Sequence, residues 1–267
     1  MHKIIAFLRR DFLVLVSYRF RLFLDLGYLV IVVFFLFFVG RTFQGTFSEY
    51  LARYGNNYFA FALLGMAVSV FVSTGLSSLA EEIRNAQVQG TLESLLMTPT
   101  SPMLILFGNS LWSFVDAFIT SLLYIGAAIL ILGLSTTIIQ ILLVILVLGL
   151  TFCCFLSLGM ISAAFIMVFK QGNPINMIFG TSSYFLGGLL FPVDVLPLPL
   201  QKISWFLPMR QAADAVREIL LVSPGEGRWR QAVVFLAVFA CVFVVFGIVS
   251  LNYSLARAKK DGSLLQF

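Results

Sequence analysis

The densest group of chemistry-bearing side chains in the chain is Glu81-Glu82-Ile83-Arg84-Asn85-Ala86-Gln87-Val88-Gln89-Gly90-Thr91-Leu92-Glu93-Ser94-Leu95-Leu96-Met97-Thr98-Pro99, a polar island between two long apolar spans. Its carboxylates, guanidinium and amides suit ion pairs and hydrogen bonds with another protein. It is too long and too patterned for a turn between two spans, and a solvated loop explains its pattern less well. The residues predict a helix held at a membrane surface, where a partner can push on it. Glu81, Glu82 and Arg84 would start that helix and Gly90 permits a sharp bend. Leu92, Leu95 and Leu96 would anchor it in the interface. The candidate contacts are Glu81, Glu82, Arg84, Gln87, Gly90, Thr91, Leu92 and Glu93.

Bond-breaking chemistry is poorly staffed. His2 is the only histidine, with no partner ligands near it, and its expected place is the headgroup zone. Neither His-Glu-x-x-His nor Gly-x-Ser-x-Gly occurs, so no catalytic residue is assigned. Cys153, Cys154 and Cys241 lie in apolar spans without metal-ligand spacing and read as small packing residues. No metal site is assigned. No Gly-x-x-x-x-Gly-Lys-[Ser/Thr] occurs, so the chain is not expected to hydrolyse ATP itself. Two acids fall inside apolar spans. Asp25 stands at helix spacing from Arg21 and reads as an ion pair. Asp116, with Asn109, Ser110, Ser113 and Thr120 nearby, either lines a pathway or bonds across helices. Asp116, Asn109, Phe191 and Pro192 are the pathway candidates.

Composition dictates the elements that carry these residues. The chain is 60% hydrophobic and 11% charged, with 29 Phe. A soluble domain of its 267 residues could not hide so much apolar surface, so the bilayer is its solvent. The net charge of +5 fits cytoplasmic Lys and Arg rather than nucleic acid, for which no basic groove pattern appears. The predicted fold is all-α and integral to the membrane, a single domain over 1–267 with six spans at 22–40, 57–79, 103–132, 138–168, 175–191 and 230–251. Residues 1–21 carry an apolar stripe among basic residues and predict an interfacial amphipathic helix. No signal-peptide pattern is evident, since the first span starts late and lacks a small-residue cleavage site. Residues 81–102 form the coupling segment between spans two and three. Residues 133–137 make an outer turn, and Lys170-Gln171-Gly172-Asn173-Pro174 an inner one. Residues 192–223 are too apolar for a solvated loop and too rich in Pro for a span. They predict two short re-entrant helices on the outer side, with Arg210, Asp214, Arg217 and Glu218 on a polar face. A surface-lying helix pair without a gating role is the alternative. The basic residues favour both termini inside. Glycines 65, 75, 126, 149, 159, 187 and 188 would let helices pack closely.

Three stretches carry a family resemblance. They are Gly90-Thr91-Leu92-Glu93-x-Leu95-Leu96-x-Thr98-Pro99, then Gly187-Gly188-Leu189-Leu190-Phe191-Pro192 with Leu196-Pro197, Leu207-Pro208 and Ala213-x-x-x-Arg217, and more loosely the basic tail from Ala256. With six spans of matching length, the chain resembles the permease subunit of an ABC-2 type ATP-binding-cassette exporter over essentially its whole length. It departs from the family at Ala86, Gln87, Val88 and Gln89, which are uncharged where charge is usual, and at Pro102, where a basic residue is common. The resemblance implies two permeases, by default a homodimer meeting through spans one and five, around one pathway. It also implies two copies of a separate ABC ATP-binding subunit, which would hold ATP and Mg, so no cofactor is assigned to this chain. A drug, lipid or other amphiphile is the implied cargo, in the plasma (inner) membrane of a prokaryote, with a polysaccharide ranked below. An ion-coupled carrier or channel without an ATPase is the competing reading. It would lean on Asp116 and leave the polar island unexplained.

Overall fold

A computed structural model describes residues 9–13, 17–42, 48–90, 102–169, 174–222 and 228–261. Among these the secondary structure is helical throughout, with no strand. Eight principal helices follow in order: α1 (Arg19–Thr42), α2 (Tyr58–Val88), α3 (Pro102–Leu132), α4 (Ile138–Phe169), α5 (Pro174–Leu186), α6 (Leu198–Trp205), α7 (Pro208–Leu221) and α8 (Trp229–Asp261). Five of them, α1, α2, α3, α4 and α8, are long and apolar enough to cross a membrane. Several expectations fall on residues outside those described: His2 with the rest of 1–8, Thr91, Leu92, Glu93 and the remainder of the coupling segment to 101, the 170–173 turn, and the end of the basic tail. Within 1–21, residues 9–13 are helical, and Phe12 meets Trp112 of α3 edge-on at 6.2 Å.

Helix directions follow from side-chain contacts. Gly75 of α2 lies against Phe155 of α4, where an added Cβ would sit 2.7 Å from the Phe155 Cβ. On Gly159, a Cβ would overlap the Gly75 carbonyl. Further along, Leu79 and Ile83 share a buried cluster with Ala163, Ile166 and Met167. So α2 and α4 run parallel. Helix α8 does the same beside α4: Cys154 Sγ donates to the Leu236 carbonyl at 3.3 Å, Gly247 packs on Ser157 and Met160, and Leu251 and Leu255 reach the cluster of Ala163 and Met167. By contrast α1 folds back on α2 through Gly40 and Phe59, and α3 runs against α2, with Phe118 near Phe71 and Asn109 near Glu82. Five of the seven glycines singled out in the sequence sit at such close approaches; Gly126 and Gly149 have open space around them.

Three helices differ from expectation, α8 only in running ten residues past the expected end of span six, to Asp261. Span two does not end near residue 79 before a new helix. Instead α2 continues without a break to Val88 and stops at Gly90, whose φ of +67° suits glycine. The reason is packing: Leu79, Ala80, Ile83, Ala86 and Gln87 are buried at helical spacing, so this end of α2 still has a core to rest on. The fifth expected span is a helix of 13 residues. At 1.5 Å per residue α5 is about 20 Å long, short of a hydrocarbon core of about 30 Å. Gly187 and Gly188 end it, the latter at φ +66° with Val193 packed where a Cβ would go. A short 3-10 turn (Val193–Val195) leads into α6 and α7, as the two short helices predicted after residue 192 require. Pro199 and Pro208 stand in their first turns, where a missing N–H costs nothing.

Candidate functional site

One end of the bundle gathers the starts of α2, α4 and α8 around α7. Thr137 and Gln140 cap α4 reciprocally: the Thr137 N–H donates to Gln140 Oε1 at 2.8 Å, and Gln140 Nε2 then donates to the Ile219 carbonyl at 2.7 Å. That bond ties the end of α7 to the start of α4. The tie to α2 is Arg217. It heads the fully buried side chains by size. Its Nε donates to the Phe61 carbonyl and one terminal nitrogen to the Leu189 carbonyl, each at 3.0 Å. The guanidinium lies 3.4 Å from the Phe61 ring centroid, and Asp214 stands 3.6 Å from its other terminal nitrogen. Asp214 also accepts from the Tyr54 hydroxyl at 3.0 Å and pairs with Arg210 at 3.6 Å. Asp214 compensates the buried charge of Arg217, which as an arginine stays protonated. A planar fork that bonds two carbonyls and stacks on an aromatic ring is a task for Arg and not for Lys. Gly65 makes room for it: a Cβ there would overlap the Leu189 carbonyl and lie 2.7 Å from the guanidinium.

The expected polar face of α7 is therefore corrected. Arg210 and Asp214 are partly exposed, but Arg217 and Glu218 are buried. Beside them, α6, α7 and α8 enclose a cleft of about 560 Å³. Trp205, Arg210, Asp214, Glu218, Arg228 and Arg230 are among its lining residues. Pro192 is buried next to the Arg217 cluster, whereas Phe191 is only half-buried.

At the opposite end, Glu81, Arg84, Asn85 and Val88 are exposed, at positions that form one stripe along the last two turns of α2. Glu82 is half-buried and accepts from Asn109 Nδ2 of α3 at 2.5 Å. Gln87 is buried. So Glu82 and Asn109, assigned from sequence to docking and pathway respectively, belong to one contact between α2 and α3. Asp116 is half-buried on α3, within electrostatic reach of Asp25 and Arg21 on α1. The expected Arg21–Asp25 ion pair is present at 3.7 Å. The structure brings Asp116 to that pair and not to Phe191 or Pro192.

Sequence reasoning passed over Tyr54 and Phe61, and quoted Leu189 in a family stretch without a role, since their roles depend on contacts with residues far along the chain. The one available signal was the spacing of Arg210, Asp214 and Arg217, which places two cations around one carboxylate on a helix.

The family model for the ABC-2 type transporter matches residues 2–221. The chain is 30% identical over 171 residues to Nodulation protein J of Rhizobium leguminosarum bv. viciae, covering 64% of this chain and 65% of that protein. It is 30% identical over 176 residues to Nodulation protein J of Sinorhizobium fredii (strain NBRC 101917 / NGR234), covering 65% and 66%. A third, Nodulation protein J of Rhizobium meliloti (strain 1021), is 29% identical over 171 residues. The chain thus spans just under two thirds of the length of the curated relatives it matches.

Proposed function

The chain belongs to the ABC-2 type transporter family, and from that premise we propose that it is the permease subunit of an exporter. Two such permeases, by default identical, form one pathway for an amphiphilic or lipid-like cargo. ATP hydrolysis occurs on two copies of a separate nucleotide-binding subunit, which also holds the ATP and Mg. The site is the plasma membrane of a prokaryote, with both chain termini cytoplasmic.

The observation that carries the reading is the shape of α2. Its 31 residues make a rod of about 46 Å, longer than the hydrocarbon is thick. One end is locked by Arg217 to the outer helices, and the other projects an exposed stripe of Glu81, Arg84, Asn85 and Val88. A rigid rod with a core along its length can carry displacement from a docked ATPase toward the far end. Ala86, Gln87, Val88 and Gln89 are uncharged where the family usually carries charge, which leaves Glu81, Arg84 and Glu93 as the ionic contacts, with Thr91 and Leu92 completing the dock.

Six crossings also follow as a reading. Helices α2, α4 and α8 run parallel, so the end of α4 and the start of α8 lie on opposite sides of the bundle. The chain between them must cross once, and α5 with the turn after it is the segment that does so. Helix α1 buries only Val33, Leu36 and Gly40, which leaves most of its apolar surface for lipid or a second permease.

Affinity purification of the tagged chain in mild detergent, followed by mass spectrometry, tests the proposal. A stoichiometric subunit with a phosphate-binding loop supports it. If the chain emerges alone from several detergents and from nanodiscs, the ion-coupled carrier takes its place, and D116N becomes its test. Replacing Leu92 or Glu93 by Ala is expected to uncouple ATP hydrolysis from transport while the protein stays in the membrane. Normal transport in both variants would remove the docking role.

A further inference from the structure

We propose that the cleft between α6, α7 and α8 binds a lipid with an anionic phosphate headgroup, taken from the leaflet at that face. The inference deepens the exporter reading, and only its assignment to the outer leaflet rests on the proposed orientation.

Charge selects the headgroup. Arg210, Asp214 and Glu218 line the cleft from α7, and Arg228 and Arg230 line it at the start of α8. Asp214 is already held by Arg210, Arg217 and the Tyr54 hydroxyl. Glu218 is buried in the floor of the site. Arg228 and Arg230 are exposed at the mouth, at the start of α8, and make no ion pair among the described residues. Guanidinium forks match phosphate oxygens in geometry as well as in sign. Gln211 and Gln231 add amide donors to the same lining.

Aromatic residues select the tail. Trp205 and Phe235 line the cleft and meet at 5.7 Å. From Phe235 a ladder descends one face of α8: Phe239 at 6.1 Å, Phe243 stacked a further 4.1 Å on, and Phe246 at 6.4 Å. Phe235, Phe239 and Phe243 are partly buried, the last two against the core, and Phe246 is 61% exposed. Phe235 to Phe246 covers about 16 Å of helix, close to half of a hydrocarbon core of about 30 Å. A headgroup in the cleft therefore leaves an acyl chain the depth of one leaflet to lie along the ladder. A free small anion would use the arginines and leave the ladder idle.

The test is native mass spectrometry of the full chain, purified with whatever subunits accompany it, after stepwise delipidation and titration with phosphatidylglycerol or phosphatidylcholine. Phosphatidylglycerol is expected to bind more tightly. R228Q/R230Q should weaken it by about tenfold or more, since charge-assisted bonds are lost, and weaken phosphatidylcholine less, because its choline cation offsets the charge of the same phosphodiester. Q231E adds a carboxylate at the mouth and should weaken phosphatidylglycerol in the same direction, so a misfolded double variant would not leave the matter open. F239A/F243A should weaken the long-chain lipid and spare its short-chain dibutyryl analogue. Equal binding of the two headgroups, or wild-type affinity in both the arginine and Gln231 variants, overturns the proposal. Displacement of phosphatidylglycerol by millimolar inorganic phosphate would also overturn it, by showing a small-anion site. None of these results bears on whether an ATPase subunit copurifies, so this inference can fail while the exporter reading stands.

Discussion

At the scale of single residues, Arg217 is the clearest example of a charge that the fold can tolerate only with all its partners. Removing a buried guanidinium would strand two carbonyls and take one of three partners from Asp214, a loss of the order of 3–5 kcal/mol. R217A is therefore expected to melt well below the wild type in detergent, as followed by intrinsic fluorescence. R217K should recover only a small part of that loss, because a single ammonium cannot fork between Phe61 and Leu189 or stack on the ring. Full recovery by Lys would show that charge alone matters. The same logic applies to glycine. G65A pushes a methyl group into the Leu189 carbonyl and the guanidinium, whereas G149A meets open space. G65A should lower the melting temperature and G149A should leave it unchanged or raise it, since Ala is the better helix former. The sequence marked both positions identically. Nothing in a run of apolar residues distinguishes a glycine that faces a helix from one that faces lipid. Burial of Arg217 was hidden for a related reason: its acceptors lie 156 and 28 residues away, and a basic residue on an amphipathic helix ordinarily faces water.

At the scale of elements, α1, α3 and α4 were legible to within three residues at each end, and α2 and α8 at their starts, because hydrocarbon imposes a length and an apolar composition that nothing else in the chain imitates. Where the reading slipped, a second force overrode composition. The polar run from Glu81 onward signals an exit from the membrane, yet Ile83, Ala86 and Gln87 keep the core periodicity of α2 past the exit. The island is thus two faces of one helix. The buried face maintains the rod, and the exposed one is free to bind. This division gives a separable pair of outcomes. I83A removes a fully buried side chain and should cost about 2–5 kcal/mol of stability. The triple variant E81A/R84A/V88A touches only exposed positions and should melt like the wild type, yet recover much less ATP-binding subunit in a pull-down. Equal recovery of the subunit would place the dock entirely beyond Val88. Helix α5 slipped in the other direction. Its apolar run extends to Pro192, but the Gly187-Gly188 pair breaks the helix so that Leu189 can present its carbonyl to Arg217.

At the scale of the whole molecule, the number of crossings is a question of parity. Five long helices alone would put the two ends of the chain on opposite sides of the bilayer. The six-crossing reading proposed above rests instead on the parallel packing of α4 and α8, which puts a return across the bundle between Phe169 and Trp229. A short helix ending in irregular backbone can make that return because it is not left facing lipid. Ser204 donates to the Leu186 carbonyl and Arg217 to the Leu189 carbonyl, so protein groups satisfy the broken end. In the proposed orientation, Arg9, Arg10, Arg19, Arg21, Arg84 and Arg257, at the end of the bundle opposite α7, lie on the cytoplasmic side, and Arg41, Lys202, Arg210, Arg217, Arg228 and Arg230 lie on the other. Single cysteines placed at Ser135 and Ser223 in a cysteine-free background should react with a membrane-impermeant maleimide added to intact cells. Cysteines at Gln89 and after Phe267 should react only once the membrane is opened. Labelling of the C-terminal cysteine in intact cells, with Ser135 still accessible, would mean that the segment from Pro174 to Leu221 does not cross. The parallel alignment of α4 and α8, and with it the cleft they help to position, could not then hold in the membrane.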